Sequence, residues 1–230
     1  MPGGSLRDGG GAPFGSAAKI IGALLVLYAL ETVSYFYLAT WAGQRVGKAG
    51  TWNLQLPIDE HIPWIPHMYA YYILWPILWF FVVPLLISLS CGPKGFSRYV
   101  ANSLLMYVAG SVIYLVFPTT TTEMDFIDGT IQALQRNAPY YTDIYALADS
   151  SVNIWGSFPS YHNYWASLLV LFPLFGHAKP GWKILLIAMG GAITLSTLTL
   201  HQHCVMDAVL TYAMTAGFYA LTVRFKWFEK

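Results

Sequence analysis

The sequence predicts an all-α integral membrane protein, a six-helix bundle, and three observations carry that expectation. Apolar residues make up 56% of the 230-residue chain and charged residues only 10%, with a mean hydropathy of +0.50. A soluble domain has roughly 25% charged residues, so lipid must be the solvent for much of this surface. Six stretches are apolar over about 20 residues, the length a helix needs to cross a bilayer. Nine Trp, 16 Tyr and 13 Phe suit a protein with two interfacial aromatic belts.

Residues 1–17 are Gly-rich and read as a flexible tail, leaving 18–230 as one domain. A signal peptide is not expected, because the apolar run that follows is long and lacks a small-residue cleavage site. The spans fall at 18–42, 66–90, 98–118, 161–178, 182–201 and 203–223. Pro76 and Pro84 lie within the second, which a membrane helix tolerates when neighbours satisfy the freed carbonyls. A bend around His201-Gln202-His203 separates the last two. Glu31, inside the first span, is expected to find a Tyr or backbone partner. The stretch from Leu56 to His67 reads as an interfacial segment whose Trp and His residues are anchors.

Six spans place both termini on one side. All basic residues except Arg45, Lys48 and Arg136 fall on that side, so the positive-inside rule puts the termini in the cytoplasm. The loop 119–160 is too long for a simple connector. Ile127, Ile131, Leu134 and the Tyr-rich run from Tyr140 to Tyr145 predict short interfacial helices there, between spans 3 and 4. The net charge of +1 argues against a nucleic-acid partner, and Cys91 and Cys204 form no disulfide framework.

Two motifs lie on the non-cytoplasmic rim. Phe158-Pro159-Ser160-Tyr161-His162 opens the fourth span, and His203-Cys204-Val205-Met206-Asp207 opens the sixth. A His and an Asp four apart share one helix face, so Asp207 can orient the His203 imidazole. An ionisable pair inside a span is costly and is functional by default, although a structural hydrogen bond fixing the bend is the plainer alternative. Pro159 and Ser160 form a helix start, which is either ordinary capping or an anion site. A nucleophilic imidazole held in one tautomer, a second His as acid and a helix N-terminus together suit cleavage of a phosphate ester.

Phe-Pro-Ser-x-His at 158–162, followed by Ser196-x6-His203-x3-Asp207, resembles the type 2 phosphatidic acid phosphatase superfamily. Tyr145-x3-Asp149-x3-Asn153 resembles the branch containing inositol phosphorylceramide synthases, and the His-x3-Asp unit is also similar to sphingomyelin synthases. The resemblance implies a six-span, metal-independent enzyme acting on membrane lipids without a cofactor. It makes His203 the nucleophile, Asp207 its orienter, His162 the general acid and Ser160 a phosphate ligand. Tyr161, Asp149, Arg136 and His201 are further candidate substrate contacts. His201, His203, Asp207 and His162 also suggest a zinc site, but the resemblance accounts for the same residues without metal.

The chain departs from the family pattern in its cations. Thr197 follows Ser196 where Arg is usual, the motif Lys-x6-Arg-Pro is absent, and Tyr161 stands where Gly is common. A phosphomonoester dianion in a low-dielectric cleft wants several positive partners. A cation-poor site is better matched to a phosphodiester headgroup, unless Arg45, Lys48, Arg136 or His201 folds in. A lipid phosphomonoester phosphatase, an inactive lipid-binding scaffold and a small transporter are the alternatives.

Overall fold

The computed structural model describes residues 17–73, 77–120, 136, 155–176 and 178–225. Among them there is no strand, only one isolated parallel bridge between Trp52 and Thr119. Helix α1 (Ala17–Glu31) passes through a π-helical stretch (Thr32–Ala39) into α2 (Thr40–Val46). After single turns at Asp59–His61 and Pro66–Met68 come α3 (Tyr69–Ile73), a π-helical turn (Leu78–Val82) and α4 (Val83–Val116). Then follow α5 (Tyr161–Phe175), α6 (Pro180–Thr199) and α7 (Val205–Arg224).

Three of these rods are long and apolar enough to cross a membrane: Lys19–Val46, Val83–Val116 and Pro180–Thr199. They mark a membrane-associated protein. The second and third expected spans are joined by a kink where the sequence reading placed a gap. Gly92 sits at φ 69°, ψ −170° inside α4, and Pro93 restarts the helix. Proline lacks the N–H that would continue the ladder and clashes with the preceding turn, while glycine alone takes the left-handed conformation without strain. The fourth expected span ends at Phe175, and α7 starts at Val205, after the bend. The loop expected to hold interfacial helices lies outside the described residues, apart from its ends and a helical, exposed Arg136; so does the tail at 1–16.

Polarity runs inside out. Leu25, Phe36, Trp41, Leu89, Val112 and Ile184 are exposed on the outer helices, whereas Glu31, Ser34, Asn102, Asn163, Ser167 and Thr215 are buried. That pattern is stable when hydrocarbon covers the outside and the buried polar groups pair with one another. They do so here. Tyr107 donates its hydroxyl to Glu31 Oε2 at 3.0 Å, the tyrosine partner expected for Glu31. Ser167 donates to Thr215 Oγ1 at 2.8 Å, and Asn102 Nδ2 to the Thr215 carbonyl at 3.2 Å.

Helix α5 is the centre of the bundle, with every residue from Tyr161 to Leu169 buried. Trp165 stacks on Trp79 at 4.4 Å between centroids. The close approach of α6 depends on Gly190, where an added Cβ would lie 2.6 Å from the Ala166 carbonyl oxygen and 2.8 Å from Val170 Cγ2. Its neighbour Gly191 has nothing within 4 Å of the same position. Gly190→Ala is therefore expected to destabilise the protein by about 1–3 kcal/mol through overpacking. Gly191→Ala should be neutral or slightly stabilising through helix propensity. Unfolding of both variants in one detergent checks the pair, and equal stabilities would contradict this packing.

Candidate active site

The segment entering α5 is fixed by backbone bonds to three other elements. Thr119 Oγ1 accepts from Phe158 N at 2.8 Å and donates to the Phe158 carbonyl at 3.2 Å. Tyr114 donates to the Pro159 carbonyl at 2.6 Å, and Ser160 N donates to Thr211 Oγ1 on α7 at 3.1 Å. The Phe158-Pro159 peptide is cis. Gly43 leaves room for Trp155 just upstream: a Cβ there would lie 2.4 Å from its ring.

Ser160 then caps α5. Its hydroxyl accepts from Asn163 N at 3.2 Å and from Asn163 Nδ2 at 3.0 Å, and the residue is fully buried. The side chain expected to hold phosphate is thus turned into its own helix. Tyr161 points the other way, into the core. Its hydroxyl lies 2.6 Å from Ser34 Oγ, and Tyr35, Tyr107 and Tyr114 pack around its ring. Large and aromatic, it fills the space between α4 and α5 and is not brought to the histidines.

His162 leaves the first turn of α5 toward the bend before α7. Its ring stacks on Tyr72 at 4.7 Å with an interplanar angle of 19°, and its centroid is 5.8 Å from that of His203. The bend is built on Thr197, whose carbonyl accepts from Gln202 N at 2.9 Å and from His203 N at 3.2 Å. His201 takes the left-handed conformation, φ 53°, which lets the chain reverse. Its Nε2 lies 2.9 Å from the Ile62 carbonyl, so it holds the preceding loop and does not join His203. Among the described residues no group of three or more His, Cys, Asp or Glu side chains gathers as a metal site.

Asp207 lies fully buried beneath this bend. Its Oδ2 accepts from His203 Nδ1 at 3.4 Å, from Cys204 N at 3.3 Å and from the Ser157 hydroxyl in a short hydrogen bond. A carboxylate beside Nδ1 favours that nitrogen as the donor and leaves Nε2 as the ring's acceptor. Both imidazoles are 7% exposed. Ser157, Asn163, Thr211 and Tyr72 were not singled out from the sequence. Thr211 carried a signal, being one helical turn beyond Asp207, whereas Ser157 and Tyr72 meet the site only through long-range folding.

Of the expected cations, Arg45 lies over the Trp41 ring at 5.4 Å and Arg136 is exposed. Asp149 lies outside the described residues.

A buried His–Asp pair facing a second imidazole, at one end of an apolar helical protein, defines a membrane-associated protein equipped for acid–base and nucleophilic chemistry. The profile of the PAP2 superfamily matches residues 44–221, and the chain belongs to that superfamily. The membership makes it a phosphoester-acting protein with lipid-like substrates. No curated protein and no solved structure matches the chain.

The Thr119 clamp yields a test. Thr119→Val preserves shape but leaves a buried N–H and carbonyl of Phe158 unsatisfied, at about 1–3 kcal/mol each. A clear loss of thermal stability in detergent is expected, and a melting temperature equal to wild type would contradict the assigned bonds.

Proposed function

We propose that this protein is a membrane lipid phosphoesterase or phosphotransferase that works through a phosphohistidine on His203. The observation that carries the reading is the pairing of two imidazoles 5.8 Å apart, one of them held at Nδ1 by Asp207. Nε2 of His203 attacks phosphorus, the bond to the leaving alkoxide breaks, and His162 gives that oxygen its proton. Water or an alcohol then attacks phosphorus, the P–N bond breaks, and the incoming hydroxyl returns a proton to His162. Ser157 holds Asp207 in place throughout. The N-terminus of α5, its positive dipole end, supplies field to the phosphoryl oxygens in place of a Ser160 hydroxyl contact.

Residues 18–230 form one catalytic domain of six spans in this reading. The ends of α4 and α6 and the starts of α5 and α7 carry the site, whereas Lys94 at the α4 kink, Lys179 and Lys183 at the start of α6 and Arg224 at the end of α7 lie away from it. That distribution supports cytoplasmic termini and a site on the extracytoplasmic or lumenal face.

The charge balance supports a phosphodiester headgroup as substrate. Asp207 and Asp59 are buried acids near the bend, and Arg45 is engaged with Trp41. A dianionic monoester would be repelled more strongly by these acids than a diester, which bears one negative charge.

Two outcomes are expected. His203→Ala and His162→Ala should each lower turnover by about a thousandfold or more while the proteins remain folded. Wild-type enzyme should accumulate an acid-labile phosphoenzyme that the His203 variant lacks. Turnover equal in wild type and both variants would remove the catalytic reading in favour of a lipid-binding scaffold. Offered phosphatidic acid, phosphatidylcholine and phosphatidylinositol, the enzyme should release a phosphorylated headgroup detectable by mass spectrometry. Free phosphate from phosphatidic acid alone would defeat the diester preference.

A further inference from the structure

The interfacial segment before α3 does more than anchor the chain. Three hydrogen bonds lash it across the bend that presents His203. Ile65 N donates to the Thr199 carbonyl at 3.0 Å, ahead of the bend. His201 Nε2 meets the Ile62 carbonyl at 2.9 Å, within it. Beyond it, Val205 N donates to Asp59 Oδ1 at 2.7 Å. Only the last of these uses a charged side chain, and that side chain is itself fixed. Asp59 Oδ2 accepts from Leu56 N at 2.7 Å, Asp59 N donates to the Leu56 carbonyl at 2.9 Å, and the residue is 8% exposed.

The start of α7 thus has two acids serving consecutive amides. Asp207 takes Cys204 N and Asp59 takes Val205 N. The same Oδ2 of Asp207 also holds His203 Nδ1, so this carboxylate has a structural task and an orienting task at once. A helix start with unsatisfied amides draws the nearest acid toward itself. With Asp59 bonded to Val205, Asp207 is released from serving that amide and stays on the imidazole.

We infer that Asp59 is a positioning residue for His203: by bonding Val205 N it divides the α7 N-terminus between two carboxylates and keeps Asp207 on the nucleophile. The inference rests on the phosphohistidine reading above and adds to it a residue from a different part of the chain.

The test compares purified full-length wild type with Asp59→Ala, Val205→Pro, the double variant and His203→Ala, using p-nitrophenyl phosphorylcholine as the probe. Val205 is the first residue of α7, where proline fits the backbone and deletes the N–H that Asp59 accepts. It therefore breaks the same bond from the other side and serves if Asp59→Ala does not fold. Each single variant should lose kcat by about tenfold or more with KM within about twofold, and the double variant should be no worse than the weaker single. Histidine-selective NMR supplies a readout independent of turnover: the His203 Nδ1 proton, assigned by its disappearance in His203→Ala, should move upfield in both singles. Unchanged kcat and an unchanged Nδ1 proton in folded variants, with His203→Ala inactive, would overturn the role of Asp59 alone. Losses that multiply in the double variant would also overturn it. A fully active His203→Ala would instead bring down the phosphohistidine reading, and this inference with it.

Discussion

One buried carboxylate organises the active end of this protein. Asp207 has no exposed surface, and an ion placed in such surroundings is tolerable only where donors surround it. Those donors come from Ser157 ahead of α5, His203 in the bend and the Cys204 amide at the head of α7. All three converge on Oδ2, while Oδ1 has no partner among the described residues, and the shared oxygen ties three pieces of chain to one another. The two histidines meet because the segments bearing them are bonded, directly or through neighbours, to this side chain. Removing the charge would loosen the scaffold as well as the His203 ring.

Beneath it runs a polar seam that a soluble protein would have little need of. Ser160 N meets Thr211, Thr215 bonds back to the Thr211 carbonyl, and Ser167 meets Thr215. These small hydroxyls sit one turn apart on α7 and let α5 approach closely. Hydrocarbon outside offers no competing water, so helix association in lipid relies on such contacts and on tight packing, as at Gly190. The same seam carries the register of α5 to the site, since Ser160 is both its upper end and the cap that sets where His162 points.

Much of this was legible in the sequence, for identifiable reasons. Composition alone announces lipid as solvent, and the His-x3-Asp spacing points to Asp207 beside His203. The contact is made differently from the expected shared helix face: His203 lies in the bend, and Asp207 reaches back to it across the Cys204 cap of α7. The kink at Gly92 was read as a gap, since both a loop and a helix restart satisfy the same Gly-Pro pair. Ser160 reads both as a cap and as a phosphate ligand, because the two use identical residues; the bonds from Asn163 show the cap. Tyr161 and His201 were placed at the site by adjacency. Their side chains go instead to Ser34 and to Ile62, partners far away in sequence. Asp59, Tyr72 and Ser157 escaped notice for the same reason. Nothing local distinguishes an interfacial Asp or Tyr from one that packs against a distant imidazole or caps a distant helix.

The brevity of α5 leaves its mark at the far end of the bundle. Fifteen residues give a rod of roughly 22 Å, against roughly 30 Å for the twenty residues of α6. The two are level where the histidines meet, since Thr197 Oγ1 donates to Asn163 Oδ1 at 3.4 Å and Gly190 packs on Ala166. The surplus of α6 therefore stands out at its beginning, away from the bend. There its first turns outrun the helix beside them, and Ile184 and Leu185 lie exposed to whatever surrounds the protein, which in a bilayer is hydrocarbon.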